Sequence, residues 1–192
     1  MLDVKIILAL NDVNELGKIK HYLASQGFDA IEECTNGTTA IRRIHTLRPD
    51  LIIVDYNLKG MNGMQIAEIV QQNDIAPVIV IKSSIEGDLW LTDDNSSNIV
   101  FLHRPITKSA LLQTIQLSLI SYNRVTKLKE EIRALKETLS ERKNIEKAKG
   151  ILMKKYGLNE NDAHKKLQKQ SMDKGIPIKE LAQAIIIADE IN

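Results

Sequence analysis

The sequence is poor in the residues and runs that mark several protein classes. Its only cysteine, Cys34, excludes an internal disulfide framework and a thiolate zinc site. Its longest apolar runs, such as residues 51–54 and 78–81, are far too short to span a bilayer. The first residues lack the charged and apolar regions of a signal peptide. We therefore expect a soluble cytoplasmic protein that does not contact membranes.

The two signs of charge are unevenly distributed. Residues 1–122 carry 10 basic and 14 acidic side chains, whereas residues 123–192 carry 16 and 11. Such a split indicates two domains with different partners, the basic one being a candidate for nucleic acid, although a drift of surface charge would give the same counts. We predict three parts, at residues 1–122, 123–140 and 141–192.

The first part alternates short apolar strands with helices. Strands are predicted at residues 5–10, 30–33, 51–54, 78–81 and 100–102, and helices at 13–25, 38–47, 64–72 and 109–121, with 88–95 left unassigned. Wholly apolar strands separated by helices are typical of a parallel sheet covered on both faces. The sequence therefore predicts an α/β doubly wound sheet of five parallel strands, with functional residues at the carboxyl ends of the strands.

The middle part has apolar residues at heptad spacing. The predicted seam consists of Val125, Leu128, Ile132, Leu135 and Leu139. A seam of this kind favours a coiled coil between two copies of the chain, and hence a homodimer. The alternative is an amphipathic helix that packs on its own domain, because two heptads make a short coiled coil.

The last part has the pattern of a small three-helix domain. Helices are predicted at residues 141–156 and 159–175, with Gly157 and Gly175 ending them, and Pro177 opens the third helix. The predicted shared core is Ile145, Ala148, Leu152, Met153, Ala163, Leu167, Met172, Ile178, Leu181, Ala182, Ile185 and Ile186.

Four segments of the first part resemble response-regulator receiver domains. They are PDLIIVD at residues 49–55, LKGMNG at 58–63, APVIV at 76–80 and RPIT at 104–107. The resemblance implies a flavodoxin-like receiver fold, in which Asp55 stands where the family accepts a phosphoryl group from a histidine kinase. That reaction needs Mg²⁺ held by carboxylates.

The sequence departs from the receiver pattern around Asp55. The positions that match the family's acidic pair hold Leu10 and Asn11, with Asp12 one place further on, and the remaining pocket positions hold Lys82, Ser83, Phe101 and Arg104. We expect a degenerate pocket without a metal or cofactor, in which Asp55 pairs with Lys82 or Arg104 and phosphorylation is weak or absent. In the alternative, Asp12 and Asp55 bind Mg²⁺ and a histidine kinase drives a conventional regulator.

The segment AKGILM at residues 148–153, with Arg142, Lys143, Ile145 and Glu146 before it, resembles the signature of the ANTAR domain. ANTAR domains are the RNA-binding modules of bacterial antiterminators and bind tandem hairpins in nascent leader transcripts. The resemblance covers about residues 141–192 and implies RNA hairpins as partners. The residues that we predict to bind RNA are Arg142, Lys143, Lys147, Lys149, Gly150, Lys154 and His164.

The residue pattern agrees with this implication. Lys143, Lys147 and Lys154 are spaced by four and seven residues, so they share one face of a helix and can neutralise phosphates. Gly150 costs about 1 kcal/mol relative to alanine in mid-helix, which favours a role in close packing or close backbone approach. The alternative for the lysines is a solvated helix face without a ligand. The alternative for His164 is an ordinary surface histidine.

The leading interpretation is thus an antiterminator whose receiver-like domain is controlled by a sequestering regulatory protein. A kinase-driven regulator and a DNA-binding transcription factor are the alternatives. Nothing in the sequence indicates an independent enzyme, since it has no glycine-rich phosphate loop, no plausible triad and no clustered metal ligands.

Overall fold

The computed structural model describes residues 4–83 and 99–190, which fall into two compact units that divide between Thr126 and Lys127. The elements are β1 (Lys5–Ala9), α1 (Val13–Ala24), β2 (Asp29–Cys34), α2 (Gly37–Leu47), β3 (Leu51–Asp55), α3 (Gly63–Gln72), β4 (Val78–Lys82), β5 (Ile99–His103), α4 (Lys108–Tyr156), α5 (Glu160–Lys174) and α6 (Ile178–Glu190). The unassigned residues 88–95 lie outside the described residues.

The first unit contains a five-stranded parallel sheet in the order β2-β1-β3-β4-β5. Alternate residues of β1 point to opposite faces, with Ile6 in a core shared with α1 and α4, and Ile7 in a core shared with α2 and α3. All five residues of β3 and of β4 are buried, as expected for strands covered on both faces. The predicted doubly wound fold is confirmed.

One helix replaces three predicted segments. The stretches 109–121, 123–140 and 141–156 are continuous in α4, which has 49 residues. The sequence between Lys108 and Lys149 contains neither glycine nor proline, so nothing interrupts the helical hydrogen bonding.

The helices of the second unit end where the sequence predicts. Gly157 and Gly175 both have positive φ, at 63° and 64°, which is the left-handed conformation that ends a helix. The Pro177 carbonyl accepts the amide hydrogen bond of Leu181, so the proline caps α6 just before its first residue.

The core of the second unit contains all the predicted residues except one. Ala148, Leu152, Ala163, Leu167, Leu181, Ala182 and Ile186 are buried, and Ile145, Met153, Ile178 and Ile185 pack against them. The prediction for Met172 is wrong, because its side chain is 81% exposed. Nine residues separate Met172 from Ala163, and at 3.6 residues per turn this places the two on opposite sides of α5.

Candidate functional sites: the Asp55 pocket and the basic face of α4

The end of β3 places Asp55 at the carboxyl edge of the sheet. Its side chain is almost fully buried, and the Asn57 amide donates to its Oδ1 at 3.3 Å. The loop after β3 is held close, because a Cβ on Gly63 would lie 2.5 Å from the Asp55 carbonyl oxygen. Glycine at the start of α3 therefore permits the tight return of the chain beneath Asp55.

Arg104 links Asp55 to a second carboxylate. Its Nη2 lies 2.9 Å from Asp55 Oδ2 and 2.7 Å from Glu15 Oε2, and its Nε lies 3.1 Å from Glu15 Oε1. The predicted ion pair of Asp55 with Arg104 is thus present. Burial alone would lower the pKa of Arg104, but the hydrogen bonds that Arg104 donates to Glu15 and the charge of Asp55 raise this pKa above its ordinary value. The guanidinium is a permanent charge between two anions.

Sequence reasoning missed Glu15. The residue lies in the first turn of α1, three positions after the N-cap Asp12. Because α1 begins at the carboxyl end of β1, this first turn faces the edge where Asp55 lies. A carboxylate at that place was the available signal.

Leu10 and Asn11, which match the family's acidic pair, and the neighbouring Asp12 contact groups other than the Asp55 side chain. Leu10 is fully buried in the core beside α1. Asn11 Oδ1 accepts the amide hydrogen bond of Lys59 at 3.2 Å, and its Nδ2 donates to the Asn57 carbonyl. Asp12 Oδ1 caps α1 by accepting the amides of Asn14 and Glu15 at 2.8 and 3.4 Å.

Lys82 lies at the end of β4, is only 4% exposed, and its ammonium nitrogen lies 4.8 Å from the centroid of the Phe101 ring. Ser83 follows it at the same edge of the sheet, and the Arg104 amide donates to the Lys82 carbonyl at 3.0 Å.

Within residues 4–83 and 99–190, no group of three or more histidine, cysteine, aspartate or glutamate side chains is arranged to hold a metal ion.

The second candidate site is an exposed face of α4 in the second unit. Lys143, Lys147 and Lys154 are exposed there, as is Arg142 nearby. Across the described parts of the chain, the structure records no ion pair for Lys143 or Lys154, while Lys147 lies 2.7 Å from Glu190 Oε1 at the end of α6. Both partners of that last pair are more than half exposed, so it contributes little.

Lys149 does not lie on this face. Its side chain is only 8% exposed, and its ammonium lies 2.9 Å from Glu146 Oε2 and 2.8 Å from Glu160 Oε1. The hydrogen bond to Glu160 is the main cause that raises the pKa of Lys149, and Lys149 in turn lowers the pKa of Glu160. Lys149 thus ties α4 to the first turn of α5, and half-buried His164 lies beside this pair.

The predicted seam residues are exposed on α4. Leu128, Ile132, Leu135 and Leu139 are 56%, 51%, 64% and 59% exposed, and Val125 is half-buried.

Among the described residues, no helix is long and apolar enough to cross a membrane.

Comparison with known proteins agrees with this architecture. The chain is 27% identical over 182 residues to the transcriptional regulatory protein PdtaR of Mycobacterium tuberculosis, covering 95% of this chain and 89% of that protein. It is 25% identical to the chemotaxis protein CheY of Pseudomonas aeruginosa over 57% of this chain and 92% of that one. The receiver domain of a LuxO repressor protein of Vibrio parahaemolyticus superposes with a TM-score of 0.55 and 25% identity, covering 68% of this chain and 98% of that domain.

Two domain families match the chain, the response regulator receiver domain at residues 7–116 and the ANTAR domain at residues 133–186. The receiver match spans more than half of the sequence. The chain therefore belongs to the response regulator family of transcription regulators, with a C-terminal ANTAR domain.

Proposed function

We propose that this response regulator binds RNA hairpins in nascent transcripts and prevents transcription termination. The observation that carries the proposal is the exposed trio Lys143, Lys147 and Lys154 on one face of α4, inside the ANTAR domain. A protein that neutralises phosphates in this way releases counterions, so its affinity falls steeply with salt. A hairpin held by the protein cannot pair into an overlapping terminator.

The loop of a hairpin suits this face better than a duplex does. The major groove of A-form RNA is too deep and narrow to read, so sequence-specific proteins usually bind unpaired bases. A second hairpin would be captured by a second copy of the chain, joined through the seam residues Val125, Leu128, Ile132, Leu135 and Leu139. Linkage makes that second capture intramolecular and raises the overall affinity.

The binding experiment uses the full chain and a pool of RNA hairpins with randomised loops. We expect retained hairpins to share loop nucleotides and to bind at least about tenfold more tightly than duplex DNA of the same length, because duplex DNA offers phosphates but no unpaired bases. Gel shifts over a salt series give both affinities. Equal affinity for the two nucleic acids would identify a generic polycation and contradict the proposal.

The dimer experiment measures molar mass by light scattering. Ile132→Glu together with Leu135→Glu places charges in the apolar seam and should convert a dimer into a monomer. Glu130→Gln and Glu137→Gln lie on the side of the helix opposite the seam and serve as the matched control. A wild-type monomer at micromolar concentration with two hairpins still bound would contradict the linked dimer.

We further propose that the receiver domain is controlled by a partner protein and not by phosphorylation. The side chains around Asp55 suit an ion pair with a guanidinium better than they suit the coordination of Mg²⁺. Asp55 accepts from Arg104, Asn11 is hydrogen-bonded within the loop, and the matching position at Leu10 has no ligand atom. Asp55, Glu15 and Arg104 form a charge cluster in which the cation is a side chain.

The phosphorylation experiment is incubation with acetyl phosphate and Mg²⁺, followed by intact mass. We expect no phosphoryl adduct on the wild type. The double variant Asn11→Asp, Arg104→Lys restores an acidic residue and the family's lysine, and should be modified more than the wild type. A stoichiometric wild-type adduct that disappears in Asp55→Asn would favour the second candidate, a kinase-driven regulator, which the position of Asp55 at the end of β3 supports.

A further inference from the structure

Gly150 occupies a place in α4 that the fold does not explain. A glycine inside a helix is less favourable than alanine, because it loses more conformational freedom on folding. Its usual justifications are a positive φ or a neighbour that leaves no room for a side chain. Gly150 has neither, since it is helical and a Cβ built on it meets no described atom within 4 Å beyond its own helix.

The surface around Gly150 is cationic. Lys147 precedes it by three residues and Lys154 follows it by four, which places them one turn away on either side of the same face. Lys143 extends the row by one more turn. Because Gly150 has no side chain, the helix surface has a gap between these lysine side chains, which we call the groove.

Two carboxylates lie near this groove, and each is paired with a lysine. Glu190 lies 2.7 Å from Lys147 in an exposed pair that contributes little. Glu146 lies four residues before Gly150 on the helix, and both its carboxylate oxygens accept hydrogen bonds from Lys149 at 3.0 and 2.9 Å. Lys149 is only 8% exposed because it lies between α4 and the first turn of α5, with its ammonium held by Glu146 and Glu160. Because Glu146 is paired with Lys149, a phosphate that approaches Gly150 would meet lysine ammonium groups and no uncompensated charge from Glu146.

We infer that the sugar–phosphate chain of the bound RNA crosses α4 directly over Gly150, in contact with the helix backbone, with Lys147 and Lys154 on its two sides. This inference rests on the proposed RNA binding and names the point of closest contact. A second copy of the chain is the other conceivable occupant of a bare helix face. The lysines argue against it, because two copies would bring like charges together at the crossing.

The test compares two glycines that lie in helices with open space around them. Gly150→Ala and Gly150→Leu add side chains of increasing size to the groove, whereas Gly17→Ala makes the same change on exposed α1 of the receiver domain. The full-length variants are titrated with the hairpin selected from the randomised pool, and thermal unfolding is followed by circular dichroism.

We expect Gly150→Ala to raise the thermal midpoint by about 2–4 °C, because alanine favours the helix. We expect the same variant to weaken hairpin binding by about tenfold, and Gly150→Leu to weaken it further, because a side chain lifts the strand off the backbone. Gly17→Ala should share the stabilisation and leave the affinity unchanged. A stabilised protein with lost affinity is not the result of impaired folding.

Wild-type affinity in Gly150→Ala and Gly150→Leu would overturn the inference and leave the proposed function standing. A change in molar mass without a change in hairpin affinity would overturn it too, by assigning Gly150 to a contact between copies. Failure of the wild type to prefer hairpin RNA would overturn the proposed function, and the inference with it.

Discussion

Each unit of the chain contains a cation held between two carboxylates, and the two arrangements differ in what surrounds the anions. In the receiver domain Arg104 lies between Asp55 and Glu15, whose side chains are only 8% and 19% exposed. In the ANTAR domain Lys149 lies between Glu146 and Glu160, which are 56% and 72% exposed. The first cation neutralises buried charge, whereas the second ties two helices together while its partners remain in water.

This difference predicts unequal consequences when the cation is removed. A buried carboxylate that loses its cation keeps an uncompensated charge in the low-dielectric protein interior, which destabilises the fold. An exposed carboxylate is instead hydrated by water. Arg104 and Lys149 also differ from Lys143, Lys147 and Lys154, whose side chains are exposed and of which only Lys147 has a recorded ion pair among the described residues, the exposed and weak pair with Glu190. Four predictions test these distinctions.

The largest effect is expected from Arg104→Met. Removing the guanidinium leaves Asp55 buried without its cation, and we expect the free energy of unfolding to fall by about 3 kcal/mol. Urea titration followed by circular dichroism measures it. Arg42→Met, on the exposed side of α2, should change stability by less than about 0.5 kcal/mol. Equal stability of the two variants would show that Asp55 does not depend on Arg104.

Replacing Lys143, Lys147 and Lys154 together by glutamine should weaken hairpin binding on the order of 100-fold, because three charge-assisted phosphate contacts are lost. The slope of log affinity against log salt should become shallower by about 2. The matched control replaces Lys165, Lys169 and Lys174 on α5, an equal loss of charge. If the control loses as much affinity, the binding surface is not the face of α4.

Lys149→Met should have a smaller effect, mainly on folding. The variant removes the tie between α4 and α5, so we expect a lower urea midpoint than in the wild type. Lys149 does not lie on the lysine face, but its loss leaves the charge of Glu146 uncompensated beside that face. We therefore expect hairpin affinity below the unfolding transition to fall by less than about tenfold, well short of the triple variant. A loss of affinity as large as that of the triple variant, with an unchanged urea midpoint, would restore Lys149 to the RNA contacts.

The smallest effect concerns pH. Lys149 lowers the pKa of Glu160 in the folded state, so this carboxylate stabilises the fold at pH values above its unfolded pKa of about 4.3. That contribution is lost as the pH falls through the lower folded pKa. We therefore expect Glu160→Gln to lower the urea midpoint at pH 6 and the difference from wild type to vanish near pH 3. A difference that does not depend on pH would point to lost packing.

The architecture could be predicted because its signals are local. Short apolar strands, helical spacing, and the glycines at 157 and 175 each act within a few residues. Each predicted strand among the described residues is present, and the predicted helices are present with three predicted segments joined in α4. The pairing of Asp55 with Arg104 was within reach for the same reason, since both follow parallel strands that end at one edge. Glu15 was not predicted because it lies inside α1, one helical turn beyond the residues that directly follow β1.

The sequence by itself determined the two kinds of domain, the parallel sheet, and the row of lysines on one helix face, because backbone periodicity and chain order suffice for these. Only the tertiary structure decided that Lys149 turns inward while its neighbours stay outside, and that one guanidinium joins Asp55 to Glu15. Long charged side chains reach partners on other elements, so their direction depends on how those elements pack, which the local pattern does not contain.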